Sequence, residues 1–307
     1  MEELLNYFNQ KIKNIFSLNK ELFEEALEIR IRINSPLLVK TLKRDLFLDR
    51  SKLVAKKDLD EIISSLTKNS LHAFEDQIKM GYLTLEGGHR VGLGGDCIYE
   101  RDVFRGFKNI SSLNIRIARE FLGCSDKVLK FLIGPDKEIY NTLLVGPPLS
   151  GKTTLIRDIA RNLSDGFKSP HFDGCDVTLI DERGEISAVY NGIPQMNIGI
   201  RTDVLSSCKK NDGFFMSIRA LSPKVIICDE LGSAQDFEII QYALKSGVKV
   251  IATAHGFGTD DIKRNIYLKN IIDNNFFERA LILGKGPLRF KEVFDFQSKR
   301  VIWNDLD

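Results

Sequence analysis

One octapeptide restricts this chain more than any other feature. Residues 146–153 read Gly-Pro-Pro-Leu-Ser-Gly-Lys-Thr, a complete G-x-x-x-x-G-K-[ST]. The apolar run Thr142-Leu143-Leu144-Val145 precedes it, and a helical pattern from Thr154 to Arg161 follows. Strand, glycine loop and helix in that order are what this motif requires. Such a loop turns its N–H groups inward and, with the helix N-terminus, forms a cradle for phosphate. Gly146, Pro147, Pro148, Leu149, Ser150, Gly151, Lys152, Thr153 and Thr154 are therefore the candidate nucleotide-binding residues. Lys152 would reach the β and γ phosphates, and the Thr153 hydroxyl would bind Mg²⁺.

A phosphate loop needs an acidic partner strand. Val225-Ile226-Ile227-Cys228 ends in Asp229-Glu230, at the end of a parallel strand where α/β sites lie. Asp229 would hold Mg²⁺, and Glu230 would polarise an attacking water. Val177-Thr178-Leu179-Ile180 repeats the pattern and ends in Asp181-Glu182-Arg183. A third apolar run ends in Thr253-Ala254-His255, where Thr253 or His255 could sense or position a γ-phosphate. Which acid orients the water stays open between Glu230 and the Asp181/Glu182 pair. His72, His89 and His171 lack such a setting and read as structural or surface residues.

A length of 307 residues suggests about two domains. Residues 1–124 read as a smaller α+β domain, with the strictly alternating Glu28–Ile33 as a half-buried strand. Tyr82–Leu93 reads as a hairpin turning at Gly87-Gly88, and Gly92–Gly95 as a plain turn, since no helix follows to make it a nucleotide loop. Gly123–Asp126 is the expected boundary. Beyond it, residues 125–307 alternate apolar strands with helices, as in a parallel sheet.

Composition removes several function classes. Lys plus Arg is 44 and Asp plus Glu is 42, a net charge of +2. Bulk electrostatics therefore does not favour nucleic acid as a partner. The five cysteines are scattered and odd in number, which fits reduced buried thiols rather than disulfides or zinc. The first residues mix both charges without an apolar core, so no signal peptide is expected, and no run approaches the ~20 apolar residues of a membrane span. The expected location is cytoplasmic, with any membrane attachment through partner proteins.

Longer blocks carry more information than the loop. Asp181–Ile186, Gly199–Leu205, Ile218–Glu230 and Thr253–Gly256 resemble the stage III sporulation protein AA family of endospore-forming bacteria. Glu28–Arg32, Gly88–Gly92 and Ser112–Glu120 extend the resemblance over nearly the whole chain. Cys228 departs from it, standing where an aliphatic residue is expected. That family is similar to the ATPases of type II and type IV secretion and of pilus assembly, in the RecA/AAA+ class.

The resemblance implies an α/β fold with a RecA-like P-loop NTPase domain behind a smaller N-terminal domain. It places Asp181 and Glu182 on an acidic box, Asp229 and Glu230 on the second nucleotide motif, and His255 on a histidine box. It implies ATP and Mg²⁺ as ligands and self-association into a ring, a hexamer. Arginines acting on a neighbour's nucleotide would come from Arg183, Arg201 and Arg219, or from Arg90, Arg116 and Arg119. The implied function is an ATP-hydrolysing motor on the mother-cell side of the channel to the forespore, docked on membrane proteins of the stage III export complex. A nucleotide-binding ring scaffold with little turnover, a small-molecule phosphotransferase and a RecA-type nucleic-acid motor remain as alternatives.

Overall fold

The computed structural model describes residues 2–68, 70, 74–79 and 81–305, and His72 lies outside them. The chain forms two compact units: Met1–Arg119 with Ala188–Gln195, and Glu120–Ser187 with Met196–Asp307. Residues 120–126 go with the second unit by contacts. The reason is a buried carboxylate: Asp158 accepts hydrogen bonds from Gly123 N (3.1 Å), Ser125 N (2.8 Å) and Ser125 Oγ (2.7 Å), which bind that segment into the second unit.

In the first unit, β1 (Glu28–Arg32), β2 (Leu37–Lys40), β3 (Asp45–Leu48), β4 (Tyr82–Thr84), β5 (Arg90–Glu100) and β6 (Val103–Arg116) form an antiparallel sheet in the order β3-β2-β1-β6-β5-β4. Its helices are α1 (Glu2–Leu5), α2 (Gln10–Ser17), α3 (Lys20–Glu25), α4 (Lys56–Leu66) and α5 (Glu75–Lys79). The alternation in β1 buries Ile29 and Ile31 completely and leaves Glu28, Arg30 and Arg32 partly exposed. Asn9 starts α2 by accepting from Ile12 N at 3.1 Å, and Ile12, Ile15 and Phe16 then face the core beside Leu59, Ile62 and Leu66 of α4. Burial of each such side chain stabilises by about 1.5–3 kcal/mol.

The Gly87-Gly88 turn forms as the sequence predicts, with φ of +79° and +77°. Gly92–Gly95 does not turn. It lies within β5, in register with Ser112–Asn114 and Ile110 of β6. A Cβ on Gly95 would fall 1.9 Å from the Asn109 carbonyl oxygen, so the glycine permits close strand approach at a bulge.

The second unit holds β7 (Thr142–Gly146), β8 (Val177–Asp181), β9 (Thr202–Ser206), β10 (Val225–Leu231), β11 (Lys249–His255), β12 (Arg279–Leu283), β13 (Phe290–Asp295) and β14 (Arg300–Asn304). Their order is β14-β13-β12-β7-β11-β10-β8-β9, parallel from β12 to β9 and antiparallel at β13 and β14. Its helices are α6 (Lys152–Asp165), α7 (Lys210–Met216), α8 (Asp236–Lys245), α9 (Thr259–Arg264) and α10 (Ile266–Asp273). Successive strand residues serve opposite faces. Leu144, Ile227 and Ile251 pack with Leu155, Ile156 and Ile159 of α6, whereas Val145, Ile226 and Cys228 pack with Ile239 and Ile240 of α8. Burial on both faces is why these strands read as unbroken apolar runs. Among the cysteines only Cys228 is fully buried, and burial pushes its thiol up to about 12.

Candidate active site

The glycine loop of residues 146–151 runs from the end of β7 to the start of α6. Gly151 adopts φ +88° as the residue before the helix, a conformation that favours glycine. A Cβ there would press to 3.1 Å on Leu288, whose N–H donates to Ser150 O at 2.9 Å. A Cβ on Gly146 would fall 2.5 Å from Ser150 Oγ, a buried hydroxyl with no hydrogen-bond partner. At the outer turn, Leu149 has φ +63° and is 93% exposed.

Lys152, the first residue of α6, donates to Gly146 O (2.9 Å) and Pro147 O (3.1 Å) and lies 3.4 Å from His255 Nδ1. Burial lowers its pKa below that of an ordinary lysine, and Asp229 and Glu230 act against the shift. His255 Nε2 lies 3.3 Å from Glu230 Oε1. An imidazole protonated at Nε2 satisfies both contacts, accepting from the ammonium and donating to the carboxylate. Arg183 lies 3.6 Å from the other Glu230 oxygen. The parallel ladder sets this convergence, because His255 pairs with Gly146 and the acids end the next strand. A cleft of about 250 Å³ is lined by Glu182, Arg183, Lys210, Asp229, Glu230, Gly232 and Ser233.

Thr253 does not face a ligand. It is 0% exposed, donates to Asp229 Oδ1 at 2.7 Å and accepts from Glu230 N at 3.0 Å. It holds the acid pair from beneath and cannot itself sense a phosphate.

The second acidic doublet divides. Glu182 is exposed and accepts from Lys210 N at 2.7 Å beside the cleft. Asp181 is 1% exposed, and its carboxylate accepts from Glu185 N (2.9 Å), Ile186 N (3.2 Å), Ser187 N (2.8 Å) and Ser187 Oγ (2.6 Å). Those four bonds, one on Oδ1 and three on Oδ2, tie the buried carboxylate to the 185–187 turn. Arg157 of α6 holds the same turn by donating to Ile186 O and to Glu185 O (2.8 Å).

Arg201 lies at the other end of the sheet. It precedes β9, and its guanidinium donates to Asp173 O at 3.1 Å. Asp181 is five register steps further along the ladder, roughly 16 Å at 3.3 Å per residue. Arg201 thus stands at the N-terminal end of β9, away from the acids that end β8. Arg219 lies over the Phe215 ring at 5.7 Å. In the first unit, Arg90 stacks on Tyr82 at 3.6 Å, Arg116 is exposed on β6, and Arg119 donates to Glu24 O and to Ala26 O (2.9 Å).

Sequence reasoning missed Lys210 and Arg157. Lys210 sits in an unremarked Lys-Lys pair, and Arg157 reads as one polar residue of an amphipathic helix. No motif spacing marks either, because their partners, backbone carbonyls and the Asp236 carboxylate, lie on elements remote in sequence.

The donor set fits a nucleotide with Mg²⁺. The loop has two glycines where a Cβ would crowd it, a half-buried ammonium, the Thr153 hydroxyl and an anchored Asp229. Among the described residues no three His, Cys, Asp or Glu side chains cluster to hold a metal by themselves. A Mg²⁺ here would therefore complete its shell with phosphate oxygens and water, as Mg²⁺ commonly does.

The fold is similar to that of the ATPase DotB and the pilus retraction motor PilT. The ATPase DotB of Yersinia pseudotuberculosis superposes with a TM-score of 0.61 at 16% identity, over 94% of this chain and 80% of that one. The pilus retraction motor PilT, solved with bound ADP, gives 0.56 at 18% identity over 87% and 77%. Residues 1–301 match the family described as "Sporulation stage III, protein AA", and the chain belongs to that family. Stage III sporulation protein AA of Bacillus subtilis (strain 168) is 39% identical over 300 residues, 96% of this chain and 95% of that protein.

Proposed function

We propose that this chain is an ATPase that binds ATP with Mg²⁺ on residues 146–154. As a homo-oligomeric ring, a hexamer, it would energise assembly or transport by the sporulation membrane complex between mother cell and forespore. The observation that carries the reading is the line Lys152–His255–Glu230, with Asp229 anchored beside it, at the mouth of the phosphate loop. The loop amides and Lys152 bind the phosphates. Thr153 and Asp229 would hold Mg²⁺, which would supply positive charge against the phosphates. Glu230 orients the attacking water, and His255 fixes the carboxylate that does so. An arginine completes the charge stabilisation, an effect worth ~10³–10⁵ in rate in other P-loop enzymes. Arg183 stands nearest within one chain, and Arg201 and Arg219, or Arg90, Arg116 and Arg119 of the first unit, are candidates from a neighbour.

Partner membrane proteins of the stage III complex would supply attachment on the mother-cell side, since no helix among the described residues is long and apolar enough to cross a membrane. The near-zero net charge supports protein partners over nucleic acid.

Phosphate release and size exclusion with ATP and Mg²⁺ test the reading on wild type, Lys152→Ala and Glu230→Gln. The expected result is turnover by wild type, no binding by Lys152→Ala, and ATP trapped in a larger assembly by Glu230→Gln. A wild type that binds ATP and forms rings without turnover, even with membrane partners supplied, replaces the motor with a scaffold.

A further inference from the structure

The catalytic strand is irregular at the point where its acids stand. β10 keeps parallel register with β11 from Val225 to Cys228, loses it at Asp229 and Glu230, and resumes at Leu231 opposite Ala254. Two carboxylates meant to hold a fixed geometry thus sit where the ladder does not hold them. Side chains from other elements take up the backbone groups instead. The Glu230 N–H donates to Thr253 Oγ1 at 3.0 Å, and the Glu230 carbonyl accepts from the Lys210 ammonium.

Lys210 is a junction. Its side chain is only 12% exposed, and besides Glu230 O it contacts Asp236 Oδ1 at 3.2 Å. The other Asp236 oxygen accepts from Gly232 N and Ser233 N, both at 2.7 Å, so the same ion pair fixes the turn that follows Glu230. The Lys210 N–H is the one that binds Glu182. One residue of α7 thereby ties the ends of β8 and β10. Burial opposes its charge, but the carboxylates around it, Asp236 foremost and then Glu182, hold its pKa above the ordinary lysine value. A cation this enclosed needs several partners in fixed geometry, which is what makes it a rigid fixture rather than a surface ion pair.

We propose that Lys210, with Thr253, is a positioning residue of the ATPase site: the two replace the missing strand pairing at the bulge and set the direction in which Asp229 and Glu230 point. The inference rests on the ATPase reading above but makes a claim about the backbone that is separable from turnover. Lys210 touches no substrate. It acts through the Glu230 peptide, and loss of its ammonium leaves that carbonyl and the Asp236 carboxylate without their shared donor.

The test is hydrogen exchange of the 229–236 peptide together with steady-state kinetics, on the full chain. Lys210→Met keeps the length of the side chain and removes the charge. Thr253→Val is isosteric and removes the hydroxyl, and Thr253→Ser restores it. The expected result is faster exchange in 229–236 for Lys210→Met and Thr253→Val, unchanged exchange in 142–155, and wild-type exchange for Thr253→Ser. In turnover, kcat falls by about 10²-fold, the lower range for a general acid–base contribution, with KM held. That loss disappears when either change is placed on Glu230→Gln, because residues acting as one unit are not additive. Wild-type exchange in 229–236 for both variants overturns the proposal whether or not the protein hydrolyses ATP. So does an equal loss of kcat in the Glu230→Gln background. If wild type shows no turnover while the exchange pattern is as expected, the ATPase reading falls and the backbone role of Lys210 stands. Should Lys210→Met fail to fold, the Thr253→Val and Thr253→Ser pair decides alone.

Discussion

The ends of β8 and β10 look alike in sequence and differ in the folded protein. Both are apolar runs that stop in two acids, Asp181-Glu182 and Asp229-Glu230. In β8 the first acid is buried under four hydrogen bonds from the turn that follows it. In β10 the first acid takes one donor, Thr253, and the second lies partly open beside His255 and Arg183. A carboxylate is available for chemistry when the fold leaves it lone pairs. When neighbouring amides saturate it, the same group becomes a brace.

The largest effect that would break this contrast is at the loop they serve. Lys152→Ala is expected to abolish ATP binding in a filter or fluorescence titration, and retained binding would show that the doublets sit beside something other than a nucleotide. Next, Glu230→Gln should lower kcat by roughly 10²–10⁴ while nucleotide still binds, the range for losing a general base. Asp181→Asn should instead act on stability, because two amide hydrogens would face the donors that now bind the carboxylate. Denaturant unfolding should show a loss of about 1–3 kcal/mol with ATP affinity kept. A kcat loss matching that of Glu230→Gln, at full stability, would reverse the assignment.

Acid provides a finer test. Burial works against the charge of Asp158, but Ser125, Arg161 and Gly123 hold its pKa below the ordinary aspartate value. A folded pKa below the unfolded one gives stability that is present above the unfolded value of about 3.9 and is lost as pH falls through the folded pKa. Unfolding midpoints of wild type and Asp158→Asn should therefore differ at pH 6 and converge toward pH 2. The smallest effect belongs to Arg183→Ala. Its contact with Glu230 is exposed, so stability should change by less than about 1 kcal/mol. Any kcat change then reports on chemistry alone, and mixing Arg183→Ala with Lys152→Ala subunits separates a role within one chain from a role on a neighbour.

Much of this was legible before folding. The loop 146–153, the four core strands and the acids at their ends are local patterns, and local patterns survive in sequence. The Gly-Gly turn at 87–88 was legible for the same reason. Gly92–Gly95 was misread because its glycines answer to partners on the next strand, Ile110 to Asn114, rather than to a turn of their own. The place of Arg201, at the N-terminal end of β9, was not legible, because the ladder and not the motif block sets it.

Sequence by itself determined most elements, the parallel core strands and the glycine loop, since hydrophobic period and glycine placement act over a few residues. Tertiary structure alone decided which acid remained open, which arginine stood near it, and that Lys210 would hold the Glu230 peptide. Those outcomes depend on distances between strands and helices remote in the chain. Such distances are set by the packing of both sheet faces, and no spacing in the sequence encodes them.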